Sequence, residues 1–488
     1  MKVMSMNQST QILGERANGA AMPQNKMSKI LFYLFFACLF LGGGTARDDA
    51  LSLIILRPLA IAVIGYCLLV IDKNQINRIK IPLMTVLGLG LIMVIQLIPL
   101  PPAIWSMLPN RELLVTFDKL AGLEPIWRPI SLSPSKTMNS LMALSVGLAG
   151  LLLYAIQPAP RNPKIMVVFI IAGFASTLLA FIQLSGPMDS IAYSYRITNN
   201  GSLVGFFANR NHHATMLCAI IPMIAYLGLK YDDKSNLDYK SALIAGALIM
   251  FLFPFILQIG SRSGIFQAVL SVVFALIIAA IFILNGGTKK QSHIKQDKWT
   301  NAQAVKKKRM QLAAIGLFFL VILSIAALSF YLSRAEAIDR LFKEDAIEDM
   351  RSLVLPITTK MASDFWLFGA GFGSFEHVYR IYEPHNLLRI TYLNQAHNDW
   401  VQFAIEGGIF PILIIGALFI KGMAQFKSLW TARHDDIKNV LAAMAAAGSI
   451  ILCIFASVGD YPVRTPIITV FIIISLAIYF KPVGNKAG

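Results

Sequence analysis

"NQAHNDWVQFAIEGGIFPILIIGALFI", residues 394–420, changes character in its middle. Up to Glu406 it carries a histidine, two asparagines, an aspartate, two glutamines and a glutamate; after Gly407-Gly408 it is almost wholly apolar. The apolar half reads as a helix crossing a bilayer, since about 20 such residues span the hydrocarbon and a helix satisfies its own backbone polar groups there. The polar half, set directly against a span, is costly unless it serves a purpose.

The rest of the chain repeats the apolar half. Of 488 residues, 56% are hydrophobic and only 14% charged, with a mean hydropathy of +0.64. A soluble domain carries about 45–50% apolar residues, so the chain reads as an integral membrane protein. A β-barrel would show segments of about 10 residues with strict alternation. Long apolar runs appear instead, and the fold class expected is all-α. The spans are predicted over 30–46, 51–71, 81–100, 138–157, 165–185, 210–229, 241–260, 264–284, 311–332, 409–426, 440–458 and 464–480, twelve transmembrane helices in all.

Lys and Arg favour the cytoplasmic side of short loops. With the N-terminus inside, well over half of the 43 Lys and Arg residues fall on the inner side. The organisation expected is a cytoplasmic tail 1–29, helices 1–9 within 30–332 with a basic cytoplasmic linker 285–310, an outer loop or cap 333–408, helices 10–12 within 409–480, and a cytoplasmic tail 481–488. Residues 1–29 precede an apolar run with no small-residue cleavage pattern, so that run is expected to stay as an anchor. A structureless loop as long as 333–408 is unusual, so short helices are expected in it. The Pro- and Trp-containing segment 101–137 suits the headgroup level of the outer face.

The net charge of +17 is explained by the linker, which lies against anionic headgroups of membrane lipids. No nucleic-acid partner is expected, because aromatic residues do not interleave with the basic ones. Cys38, Cys67, Cys218 and Cys453 lie in apolar runs without CxxC spacing and read as buried thiols.

Four polar clusters remain, and the topology puts all four at the outer face. "GFFANRNHHATML" (205–217) places Asn209, Arg210, Asn211, His212 and His213 at the start of the sixth span. Adjacent histidines point about 100° apart on a helix and no HExxH follows, so a metal site is not expected. The cluster reads either as a capped helix start or as a lining for a polar substrate. "GSRSG" (260–264) holds Arg262 near the outer surface, as an anchor or as a bidentate ligand for phosphate. In "DMRSLVLPITTKMASDFWLFGAGFGSFEHVY" (349–379), Arg351 precedes a helix that ends in a glycine-rich turn. Ser374 takes the third position of GxGxxG and no βαβ unit surrounds it, so a sharp turn is expected rather than a nucleotide loop. In the opening stretch, a helix over 398–406 puts Asn398, Gln402 and Glu406 on one face and His397 with Val401 and Ile405 on another. His397 has the chemistry of a general base, with Asn398 or Glu406 to orient it.

At these motifs the chain resembles the O-antigen ligase and polymerase superfamily of bacterial envelope glycosyltransferases. The matching pieces are "GFFANRNHHA", "GSRSG", Arg351 followed by "FGAGFGSF", and "AHNDWVQFAIEGG", within about residues 195–460. The resemblance implies a helical glycosyltransferase of the C type in the bacterial inner membrane, its site facing the periplasm. It implies His397 as base and Arg262 and Arg351 as ligands of the undecaprenyl diphosphate that carries the donor glycan. Arg210 is a further candidate, where many relatives have proline between the two asparagines. Neither metal nor cofactor is required. The acceptor implied is a lipid A core sugar (ligase), a second lipid-linked glycan (polymerase) or a protein hydroxyl. The competing class is a flippase or transporter for such lipids, which predicts polar residues near mid-bilayer. The candidates gather at the outer ends instead.

Overall fold

The computed structural model describes residues 26–123, 126–157, 162–188, 190–230, 237–285, 310, 316, 346–388 and 393–482. In chain order its helices are α1 (Lys26–Gly42), α2 (Leu53–Val70), α3 (Lys73–Arg78), α4 (Lys80–Leu97), α5 (Pro102–Trp105), α6 (Glu112–Leu120), α7 (Pro134–Ala155), α8 (Asn162–Ser185), α9 (Arg210–Gly228), α10 (Tyr239–Gln258), α11 (Arg262–Asn285), α12 (Ala346–Asp364), α13 (Phe375–Tyr382), α14 (Asp399–Gly407), α15 (Ile409–Ala432), α16 (Ile437–Ala456) and α17 (Pro466–Tyr479). Two short antiparallel strands, β1 (Pro99–Leu100) and β2 (Arg128–Pro129), tie the segment after α4 to the one before α7.

Each expected span except the ninth coincides with a helix. The ninth, 311–332, and the linker 285–310 lie, but for Asn285, Met310 and Gly316, outside the described residues. Among those described, 8 helices are long and apolar enough to cross a membrane. The molecule is an all-helical, multi-pass membrane protein.

α9 is the central helix. From His212 to Ala225 every side chain is buried, because α8, α10, α11 and α16 pack around it. Small residues allow the close approach that helices need where hydrocarbon gives no hydrophobic drive. Ser449 of the alanine-rich α16 donates to the Ala219 carbonyl of α9 at 2.7 Å. Gly147 and Gly150 of α7 lie where a Cβ would come within 2.7 Å of Ile473 and Val470 of α17. α15 is the opposite case: Pro411 and Leu429 are its only buried residues, and Leu413, Phe419 and Ile420 are exposed. A largely apolar helix with most of its surface left uncovered suits contact with lipid.

A second, smaller core sits beyond one end of the bundle, built from Val354, Met361, Phe365, Phe375, Tyr379, Leu387 and Ile405. It joins α12, α13 and α14 into a cap. The cap is not confined to 333–408. Leu132 N–H donates to the Ala370 carbonyl at 2.8 Å, and Thr137 Oγ1 donates to the Phe372 carbonyl at 2.8 Å. Segments 101–137 and 346–408, distant in sequence, therefore pack together.

Candidate functional site

α14 carries the polar motif, and its two ends differ. Asn398 caps the helix, its side-chain oxygen accepting from Trp400 N–H at 3.0 Å and Val401 N–H at 3.2 Å. The expected polar face is present. Gln402 donates to Glu406 at 2.9 Å and to Gln395 at 2.6 Å, while its oxygen accepts from Ala396 N–H at 2.8 Å. Gln402 thus latches the turn that leads into His397. That turn needs holding, because His397 has φ +51°, a left-handed conformation uncommon for a residue other than glycine.

Among the described residues, the carboxylate that approaches the His397 ring is Asp460, with Nδ1 to Oδ1 at 3.5 Å. Asn398 is engaged as the cap, and Glu406 lies at the far end of α14, about 13 Å along the axis at 1.5 Å per residue. The orienting group thus differs from the two expected. His212 approaches the same Asp460 oxygen at 3.6 Å, and Asn211 donates to the other at 2.9 Å. The Tyr461 ring meets both imidazoles edge-on, with centroids 5.0 Å from His212 and 4.9 Å from His397. Burial works to raise the Asp460 carboxyl, but the two histidines more than offset this and hold it well below the usual carboxylate range. The motif at the start of α9 and the motif before α14 are therefore brought together by a residue of the short loop between α16 and α17. The same sequence rule that singled out the other clusters applies to "GDYPVR" (459–464), a polar run between two spans.

Arg464 in that loop is a second residue whose role the sequence does not reveal. Its guanidinium lies 3.2 Å from Asp399 and 3.1 Å from Glu406, above the Phe403 ring. Asp399 also accepts from Ser457 Oγ at 3.0 Å and Val463 N–H at 3.4 Å. Burial pushes its carboxyl up to about 6, with Arg464 and Ser457 opposing. Arg464 therefore fastens both ends of α14 to the loop that holds Asp460.

The far end of α14 is packed by glycines. Gly369, Gly371 and Gly373 all have positive φ. A Cβ at Gly369 would lie 2.2 Å from the Glu406 carbonyl, and one at Gly371 would lie 2.3 Å from Ser131 Oγ. Gln96 clips this turn, donating to the Phe368 and Glu406 carbonyls at 3.0 and 2.8 Å. The glycines make a close-packed turn, as expected.

Asn209 caps α9 by accepting from Asn211 N–H at 2.8 Å, and Arg210 occupies the first helical position with its N–H on Asn199 Oδ1 at 3.0 Å. His213 is fully buried and shares Nδ1 with the Leu203 carbonyl at 2.8 Å. It belongs to the helix packing, whereas His212 faces Asp460. Arg262 opens α11, half-buried, and Gly264 beside it meets Ala214 of α9, where a Cβ would be 3.0 Å from the alanine's. Arg262 is thus at the end of the bundle that holds His212. Arg351 lies on α12, and its side chain is outside the described residues.

Charge is concentrated at this end as two carboxylates shared by cations and imidazoles. No described group of three or more His, Cys, Asp or Glu side chains is gathered as a metal would require; both histidines approach one oxygen of Asp460 rather than a common centre. What the arrangement can do is hold an imidazole with its Nδ1 proton toward a carboxylate, which puts the lone pair on Nε2.

No curated protein matches the chain. A family model described as O-antigen ligase matches residues 245–416, from α10 into α15, a stretch that contains Arg262, Arg351, the glycine turn and His397 but neither the α9 motif nor Asp460. Over residues 245–416 the chain is similar to the O-antigen ligase and polymerase superfamily, the relationship its motifs had suggested.

Proposed function

We propose that the chain is an O-antigen ligase-like glycosyltransferase that moves a glycan from undecaprenyl diphosphate to an acceptor hydroxyl at the periplasmic face of the inner membrane. The observation that carries this reading is the pairing of His397 Nδ1 with Asp460 at 3.5 Å, at the end of the bundle that also holds His212 and Arg262.

In the proposed step the acceptor oxygen attacks the anomeric carbon and its proton passes to His397 Nε2. The bond from that carbon to the diphosphate oxygen breaks, and undecaprenyl diphosphate leaves with the electron pair. Attack opposite the leaving group inverts the anomeric carbon. Asp460 is a positioning residue that fixes the tautomer and stabilises the imidazolium formed. Arg262 and Arg351, with Arg210 as a further candidate, stabilise the charge that develops on the diphosphate. Asn209, Asn211 and His212 line the approach. The reading needs no metal, because the cation is supplied by guanidinium.

The test is transfer by the purified chain from undecaprenyl-diphosphate-linked glycan, with lipid A core or a second lipid-linked glycan as acceptor. Product on lipid A core establishes a ligase, and lengthening on the lipid carrier a polymerase. Movement of the lipid-linked sugar across a vesicle without product would sink the enzyme reading.

A further inference from the structure

Arg111 lies between β1 and β2, outside the spans, yet is only 2% exposed. Its guanidinium stands 5.7 Å from the Trp105 ring and 5.9 Å from the Phe365 ring. Nη2 donates to the Ile130 carbonyl at 2.6 Å. Nε and Nη1 are buried and have no hydrogen-bond partner among the described residues. A buried cation without an ion pair is expensive, and burial pushes this guanidinium down to about 10, with Glu112 opposing.

Beside it is an open hollow of about 230 Å³ lined by Leu108, Pro109, Arg111, Asp364, Leu367 and Phe368. Its enclosed part takes about one oxygen-sized atom. The acidic member is already neutralised: Asp364 Oδ2 accepts from Lys360 Nζ and Tyr382 Oη, both at 2.9 Å. Exposed apolar side chains occur on the segments that build the hollow, with Met107 84%, Phe117 58% and Trp366 58% exposed. Met107 and Phe117 follow α4, whose end marks where a span leaves the hydrocarbon, so the neighbouring surface is that of the lipid leaflet.

We propose that Arg111 and this hollow receive the phosphate of a membrane-lipid headgroup, one phosphate oxygen entering the hollow toward the unpartnered N–H groups while the acyl chains run along the exposed apolar residues. The site is separate from His397, since the hollow adjoins Gly369 at the far end of α14. The lipid supplies the missing counter-ion and fastens the 101–137 segment and α12 to the leaflet.

The full chain in detergent tests this through its Tm on adding short-chain phosphatidylglycerol, a digalactosyl diacylglycerol of equal chain length without phosphate, or inorganic phosphate. The expected result is a rise of about 2 °C or more with phosphatidylglycerol, little with the glycolipid, and little with inorganic phosphate, which lacks the chains. Arg111→Gln abolishes the rise. If that variant does not fold, Leu108→Trp, which plugs the hollow and leaves Arg111 in place, abolishes it instead. An equal rise with both lipids, a full rise with inorganic phosphate alone, no rise at all, or a rise that survives Leu108→Trp would overturn the proposal.

Discussion

The two ends of α14 use similar polar residues to opposite effect. At the Glu406 end, a fully buried carboxylate is matched by Arg464, Gln402 and Phe375 N–H, and the positive-φ Gly369 lets the neighbouring backbone close over it. At the His397 end, the imidazole is partly exposed, stands in a left-handed turn, and meets a carboxylate at 3.5 Å rather than at hydrogen-bond optimum. One end is fully enclosed; the other remains partly exposed. Only nine residues separate a buried anchor from the proposed base, and α14 links the two.

If that contrast is right, the largest effect is at the reactive end. His397→Ala lowers transfer by about 10²–10⁴-fold and leaves Tm nearly unchanged, since the side chain lies outside the packed spans; full activity would remove histidine from the mechanism. Asp460→Asn gives a smaller loss of rate, together with a changed pH profile that a purely structural residue would not produce.

Next comes the anchoring end. Gly369→Ala puts a Cβ against the Glu406 carbonyl at φ +75°, and the clash costs about 3 kcal/mol or more. The expected signature is lost Tm and yield; a stable variant with reduced turnover would blur the contrast. Arg262→Lys follows, with a loss of about 10- to 100-fold in rate, because a point charge does not reproduce a guanidinium fork. Full activity of the lysine variant would leave only net charge at that position.

The two aspartates of the site sharpen the comparison through pH. Asp399 has its folded pKa raised by burial to about 6 from the ordinary 3.8, so between these values the folded chain holds a proton that the unfolded chain has released. Its contribution is fully present below about 3.8 and is lost as pH rises through about 6. The Tm difference between wild type and Asp399→Asn should therefore shift against the wild type from pH 4.5 to 6.5 and then level off. Asp460 has the opposite sign: its folded pKa is depressed, so its contribution is already present above the ordinary carboxylate range and stays constant in this window. A flat Asp399 difference would refute the assignment.

The smallest effect is expected for Arg210→Pro. Arg210 is the first residue of α9, where proline is well accommodated, and its backbone gives up an exposed hydrogen bond to Asn199, about 1 kcal/mol. A large loss of transfer with unchanged Tm would instead give the Arg210 side chain a role with substrate.

The sequence by itself determined the helical membrane fold and nearly all its span positions, because hydrocarbon imposes one rule on every residue it contacts and that rule is written in composition over about 20 positions. It also showed the glycine turn and the capped polar helix, which are local in chain and depend on φ or on neighbouring N–H groups. Only the tertiary structure decided which polar groups meet. Asp460 joins His212 to His397 across 248 and 63 residues of chain respectively, and nothing in hydropathy sets that pairing. It also separated His212 from its neighbour His213, whose 100° offset on α9 sends one ring to the site and the other into the packing. Arg464 was passed over for the same reason: a charge in a short loop reads as interfacial until the fold closes two buried carboxylates around it, and a buried charge is tolerable only with partners that the chain brings from elsewhere.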